Sequence, residues 1–95
     1  MKRFRIHEKS IQIKKVLMDD QMQMNVISTV VAALHLYGNE YTRMKKFIES
    51  RLNQRYLPKW HYISGYEVDS CLLLPVQYFI SFKCEEKSIT VFKTI

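Results

Sequence analysis

Apolar and polar positions along the chain change period twice, and those changes divide it into elements. Ile11-Gln12-Ile13 alternates apolar with polar and runs on through Lys14-Lys15 to Val16-Leu17, the period-2 pattern of one short strand. Asp19 and Asp20 follow as N-cap residues, and Gln23 stands three positions after Asp20 as in a capping box. Met22, Val26, Val30, Ala33, Leu34 and Tyr37 then recur at helical spacing. Ile27 and Val31 widen that stripe, so this first helix should be buried on more than one side. Gly38-Asn39 is its stop signal. A second helix starts at Glu40 with a narrower stripe through Met44, Phe47, Ile48 and Leu52. Lys45, Lys46, Glu49 and Ser50 fall on its wet side, and Pro58 ends it.

Beyond Pro58 the period returns to 2. Residues 59–64, 68–74, 77–84 and 88–93 read as four strands, punctuated by Gly65, Pro75 and the turn Glu85-Glu86-Lys87. The order is one strand, two helices, then four strands. It predicts an α+β domain whose helices cover one face of an antiparallel sheet. Residues 1–10 show less pattern and are expected to be a flexible tail, leaving 11–95 as a single domain.

Composition adjusts this picture in two places. With 95 residues, 47% of them hydrophobic, the chain can build one modest core, and small cores often gain stability by oligomerising. The formal net charge of +6 is concentrated: residues 1–15 hold six basic side chains against the single acid Glu8. A basic face spread over the fold would suggest a phosphate-binding surface. A short basic tip is the mark of a solvated tail. The N-terminus lacks the apolar stretch of a signal peptide, and the longest apolar runs are far too short to span a membrane. A soluble intracellular protein is therefore expected, with Cys71 and Cys84 as reduced thiols.

Few residues of the chain stand in patterns that carry chemistry. His7, His35 and His61 are scattered through tail, helix and strand without partners at metal-ligand or triad spacing. The chain carries no Gly-rich phosphate loop and no nucleophile elbow. No catalysis, cofactor or metal is expected. The strand aromatics Trp60, Tyr62, Tyr66, Tyr78, Phe79, Phe82 and Phe92 could stack bases. Only Lys83, Lys87 and Lys93 accompany them in residues 60–95, however, so they read as core and interface aromatics.

Arg55-Tyr56-Leu57-Pro58-Lys59-Trp60-His61-Tyr62-Ile63-Ser64-Gly65 resembles the Lys-Tyr-Asn-Pro-Thr-Trp-His-Cys-Ile-Val-Gly stretch of small dynein light chains. Phe79-Ile80-Ser81-Phe82 is similar to that family's Phe-Ile-Tyr-Phe strand, and Val91-Phe92-Lys93 to its Leu-Phe-Lys. Upstream, Met18, Met22, Gln23, Ala33, Leu34 and Tyr37 follow the family's first helix. The resemblance covers residues 11–95. It implies a homodimer in which one strand of each subunit, here residues 68–74, pairs in its partner's sheet, with His61, Ser70 and Leu72 at the dimer interface. It also implies that linear motifs add as an antiparallel strand in two symmetric grooves. The groove would be lined by Tyr41 and Thr42 at the second helix, by Val68, Asp69, Ser70, Cys71, Leu72, Leu73 and Leu74, and by Phe79, Ser81 and Lys83.

The same resemblance implies a non-catalytic subunit of a dynein motor, partnered by itself and by intermediate chains. The setting would be cytoplasmic and microtubule-associated, the axoneme of a cilium included. The groove departs from the family's pattern. The run Phe-Gly-Ser-Tyr-Val-Thr-His becomes Val68-Asp69-Ser70-Cys71-Leu72-Leu73-Leu74, and two tyrosines become Ser81 and Lys83. Those changes imply outer pockets that favour aliphatic side chains where the family takes threonine. Two alternatives remain on sequence grounds: a basic nucleic-acid-binding domain, and a purely structural dimerisation module with an inactive groove.

Overall fold

A computed structural model describes residues 2–65 and 75–95. Its elements are β1 (Lys2–Ile6), β2 (Lys9–Leu17), α1 (Asp20–Tyr37), α2 (Tyr41–Tyr56), β3 (Trp60–Ser64), β4 (Val76–Cys84) and β5 (Lys87–Thr94). The five strands form one sheet in the order β1-β2-β4-β5-β3, antiparallel at every pairing. The expected α+β arrangement of two helices and an antiparallel sheet is present. The expected strands at 77–84 and 88–93 appear as β4 and β5. The one expected at 68–74 lies outside the described residues.

Residues 1–10 were expected as a flexible tail, and here the structure corrects the sequence reading. Phe4 pairs with Ile11 across a β1–β2 hairpin, and Phe4 and Ile6 pack against the core. Arg3 and Arg5, one position out of phase, are exposed. Charge on the outward positions hid a period-2 pattern. The turn gave no warning either: His7 and Glu8 take positive φ of 50° and 68°, where two-residue hairpins usually place asparagine or glycine.

α1 is capped by Asp19 rather than Asp20. The Asp19 Oδ1 accepts the Met22 N–H at 2.8 Å, while Gln23 turns back to donate to the Met18 carbonyl at 3.0 Å. Gly38 closes the helix with φ +59°, its N–H reaching the Leu34 carbonyl at 2.9 Å. The core fills the space between helices and sheet. Val26, Ile27, Val30, Val31 and Ala33 of α1 and Met44, Ile48 and Leu52 of α2 meet Ile11, Ile13, Trp60, Tyr62, Ile80, Phe82, Cys84, Ile89 and Val91. Among the described residues, no helix is long and apolar enough to cross a membrane.

Strand alternation gives the sheet a second face. Ile80, Phe82 and Cys84 point into the helix-side core, so Phe79, Ser81 and Lys83 point away from it. Their cross-strand partners Phe92, Thr90 and Ser88 share that outer face, as do His61 and Ile63. Phe79, Phe92, Ser81 and Thr90 are buried although they stand apart from the helix-side core, and among the described residues the Thr90 hydroxyl has no hydrogen-bond partner.

Candidate functional site at the edge of β3

β3 closes one side of the described sheet, and its register fixes which backbone groups face out. Gly65 N–H bonds to the Ser88 carbonyl at 3.1 Å and Thr94 N–H to the Lys59 carbonyl at 3.1 Å. By alternation His61 and Ile63 are the residues that pair with β5, while Trp60, Tyr62 and Ser64 turn their backbone groups away from the sheet.

That edge is met by side chains of α2. Asn53 Oδ1 accepts the Trp60 N–H at 2.9 Å, and Glu49 Oε2 accepts the Tyr62 N–H at 2.9 Å. The Tyr62 carbonyl accepts from the Tyr41 hydroxyl at 3.3 Å and from Lys45 Nζ at 3.5 Å, and Lys45 is also paired with Glu49. Tyr41, Lys45, Glu49 and Asn53 stand four residues apart, which puts them in one row along the helix. A row of side-chain oxygens therefore takes the place of a neighbouring strand's carbonyls. Lys45 and Glu49, expected on the wet side of α2, are instead its edge-facing polar contacts. A spacing of four from Tyr41 was the available signal.

At the start of α2, Glu40 is the N-cap residue, and its side chain makes no capping bond. The first backbone N–H groups of the helix are thus left to other acceptors. Tyr41 and Thr42 lie at this point, both exposed. The tilted ring of Tyr41 stands 5.7 Å from Tyr62.

The other expected groove residues fall elsewhere. Phe79, Ser81 and Lys83 lie on the outer face of β4, separated from β3 by β5. One chain therefore does not bring them together with Tyr41 and Thr42. His61, expected at a dimer interface, is half-buried on the same outer face and stacks on Phe92 at 5.0 Å. Val68, Asp69, Ser70, Cys71, Leu72, Leu73 and Leu74 lie outside the described residues.

Among the described residues, no group of three or more His, Cys, Asp or Glu side chains could hold a metal ion. Two buried groups do bear on stability. Burial pushes the Tyr62 phenol above its ordinary 10.0, and burial likewise raises the Cys84 thiol above 9.0. Both groups stay protonated in the fold while the unfolded chain ionises at the ordinary values. Their contribution is fully present below pH 9.0 and is lost as pH rises through 9.0 and then 10.0 toward the raised folded values. Thermal unfolding should show stability falling across that range. A variant carrying Tyr62→Phe and Cys84→Ala should show a shallower fall, and an equally steep one would clear both groups as its cause.

The architecture is a two-helix layer on one face of an antiparallel sheet, with the β3 edge met by α2 side chains and a second face that mixes Phe79, Phe92 and Ile63 with polar neighbours. The family model for dynein light chain type 1 matches residues 10–94, and the chain belongs to that family. It is 29% identical over 86 residues to the probable dynein light chain 2, cytoplasmic, of Caenorhabditis elegans, covering 90% of this chain and 94% of that relative. The fold is similar to the dynein light chain-like domain of the Fasciola hepatica calcium binding protein FhCaBP2. That match has a TM-score of 0.78 at 14% identity and covers 94% of this chain and 95% of the other. The dynein light chain-like domain of CsTAL3 is similar as well, with a TM-score of 0.72 at 12% identity over 88% of this chain and 92% of its own.

Proposed function

We propose that the protein is a non-catalytic light chain of a dynein motor complex. It works as a homodimer that binds linear motifs of intermediate chains or other disordered partners by strand addition. The observation that carries this reading is a β3 edge satisfied by α2 side chains where a strand could pair, beside an α2 N-terminus that its N-cap side chain does not cap. An incoming strand can take over the edge from those side chains, and among the described residues the Glu40 side chain leaves the N–H donors at the helix start to other acceptors.

Two copies are needed to complete the groove. Tyr41 and Thr42 belong to one side of a chain, and Phe79, Ser81 and Lys83 to the opposite face two strands in. In the proposed dimer the outer faces of two sheets meet around His61, Phe79 and Phe92, and residues 68–74 of each subunit pair along the partner's β3. A strand arriving there replaces the oxygens of Asn53 and Glu49 with its own carbonyls. The motif adds along the free side of that strand, and a glutamine in it caps the N–H groups at the start of α2. Two such grooves on one dimer would hold two partner chains side by side, with the avidity that follows. The setting proposed is the cytoplasm, on the microtubule cytoskeleton, with an axoneme as the secondary setting.

Calorimetric titration with an intermediate-chain peptide carrying Thr-Gln-Thr tests this. The expected result is one peptide per subunit. Peptides with aliphatic residues in place of the threonines should bind more tightly, since Leu73, Leu74, Ser81 and Lys83 stand where the family's hydroxyls and aromatics would be. Absence of any peptide binding by an intact dimer would overturn the groove and leave a structural dimerisation module.

A further inference from the structure

The opposite edge of the sheet carries a different kind of information. β1 closes the sheet on the side away from β3, and residues 2–6 lie outside the segment matched by the family model. The strand is an addition to the matched domain, laid over the edge that β2 would otherwise present.

The hairpin register determines what this new edge offers. His7 and Glu8 form the two-residue turn, so Ile6 and Lys9 are the closing hydrogen-bonded pair. Counting back, Phe4 with Ile11 and Lys2 with Ile13 are hydrogen-bonded pairs too. Arg3 and Arg5 are not, and their backbone N–H and C=O groups point to the open edge. The Ser10 carbonyl confirms this alternation, because it faces away from β1 and accepts the Glu85 N–H at 2.9 Å. Phe4 and Ile6 anchor the strand on the core side. The exposed side chains of Arg3 and Arg5 flank the outward ladder on the other face.

We propose that the β1 edge is a second strand-docking site, and that its occupant is an extended acidic segment of a partner protein. Charge complementarity selects that occupant. Six of the chain's basic residues lie within residues 1–15 against Glu8 alone. The Arg5 guanidinium donates to the Glu8 carbonyl at 3.0 Å and stands 3.9 Å from the exposed Glu8 carboxylate, a weak ion pair that an incoming acid can displace while the backbone contact holds the side chain in place. Arg3 and Arg5 also repel the same strand of another copy, so the edge is guarded against self-pairing while remaining open to a strand of opposite charge. A strand fits better than a nucleic acid for a geometric reason. The Arg3 and Arg5 edge presents donors and acceptors together, whereas a phosphodiester backbone supplies acceptors alone and would leave both carbonyls to water.

The site is independent of the α2 groove, and its test separates the two. The full chain, labelled with nitrogen-15, is titrated at low salt with a peptide of alternating glutamate and valine. Parallel arms use the same peptide N-methylated at alternate residues and a single-stranded oligonucleotide. The expected result is amide shifts centred on Arg3 and Arg5, binding weakened about tenfold or more by Arg3→Glu with Arg5→Glu, and loss of binding on N-methylation. The double variant should leave binding of the Thr-Gln-Thr peptide unchanged. Shifts centred on β3 and α2, equal binding of the N-methylated peptide, or tighter binding of the oligonucleotide would each overturn the proposal.

Discussion

Trp60→Ala is expected to cost about 3–5 kcal/mol of folding stability, the range for truncating a fully buried large aromatic. Trp60 is 2% exposed at the junction of three elements. Its ring stacks on Tyr78 of β4 at 6.1 Å with 6° between planes and meets Tyr56 at the end of α2 at 5.8 Å. Among the described residues the indole N–H has no hydrogen-bond partner, so the loss is one of packing rather than of a side-chain hydrogen bond. Domains of this size hold roughly 5–15 kcal/mol in all, and the variant would stand near the limit of folding. Its Tm should drop by about 15 °C or more. Trp60→Phe keeps a ring in the stack and should recover most of the difference. A loss below about 1 kcal/mol for the alanine variant would show that the α2–β3–β4 junction can collapse around the gap.

Trp60 also shows what made this fold legible. The run from Arg55 to Gly65 holds a helix end, a proline and an alternating strand within eleven residues, so pattern and resemblance agree there. The core of α1 was equally readable, because Val26, Ile27, Val30 and Val31 are apolar on adjacent faces and all four are buried. β1 was not. Its inward residues Phe4 and Ile6 are only two, its outward ones are arginines, and its turn uses His7 and Glu8 where positive φ favours other residues. Five residues with such a turn carry too little signal to be told from a solvated tail.

The polar face of α2 was misread for a different reason. Helical spacing reports that Lys45 and Glu49 lie off the apolar stripe, and says nothing of what stands opposite them. What stands opposite is a strand edge whose N–H and C=O groups need partners. The groove residues suffer from a related limit. The resemblance to the family implies one ligand for Tyr41, Thr42, Phe79, Ser81 and Lys83. Within this chain they lie on two sides of the sheet, so their common role is a property of the proposed assembly.

His61→Glu is expected to convert the proposed dimer to monomer while leaving the chain folded. In one chain His61 is half-buried on the outer face of an edge strand, where a carboxylate can keep contact with water. Its backbone pairs with Phe92 of β5 and is untouched by the change. The helix-side core does not include it. The proposed interface instead carries its ring, stacked on Phe92, into contact with a second copy. A glutamate there would be buried without a partner, at a cost of about 3–5 kcal/mol, and the symmetry of a dimer imposes that cost twice. Dimer affinity should fall by at least a hundredfold on that basis. Sedimentation velocity at micromolar concentration should report one chain's mass with circular dichroism unchanged, whereas His61→Gln should remain dimeric. A His61→Glu protein that stays fully dimeric would place the contact elsewhere. The proposed pairing of residues 68–74 with the partner's sheet would then have to be reconsidered without the outer face.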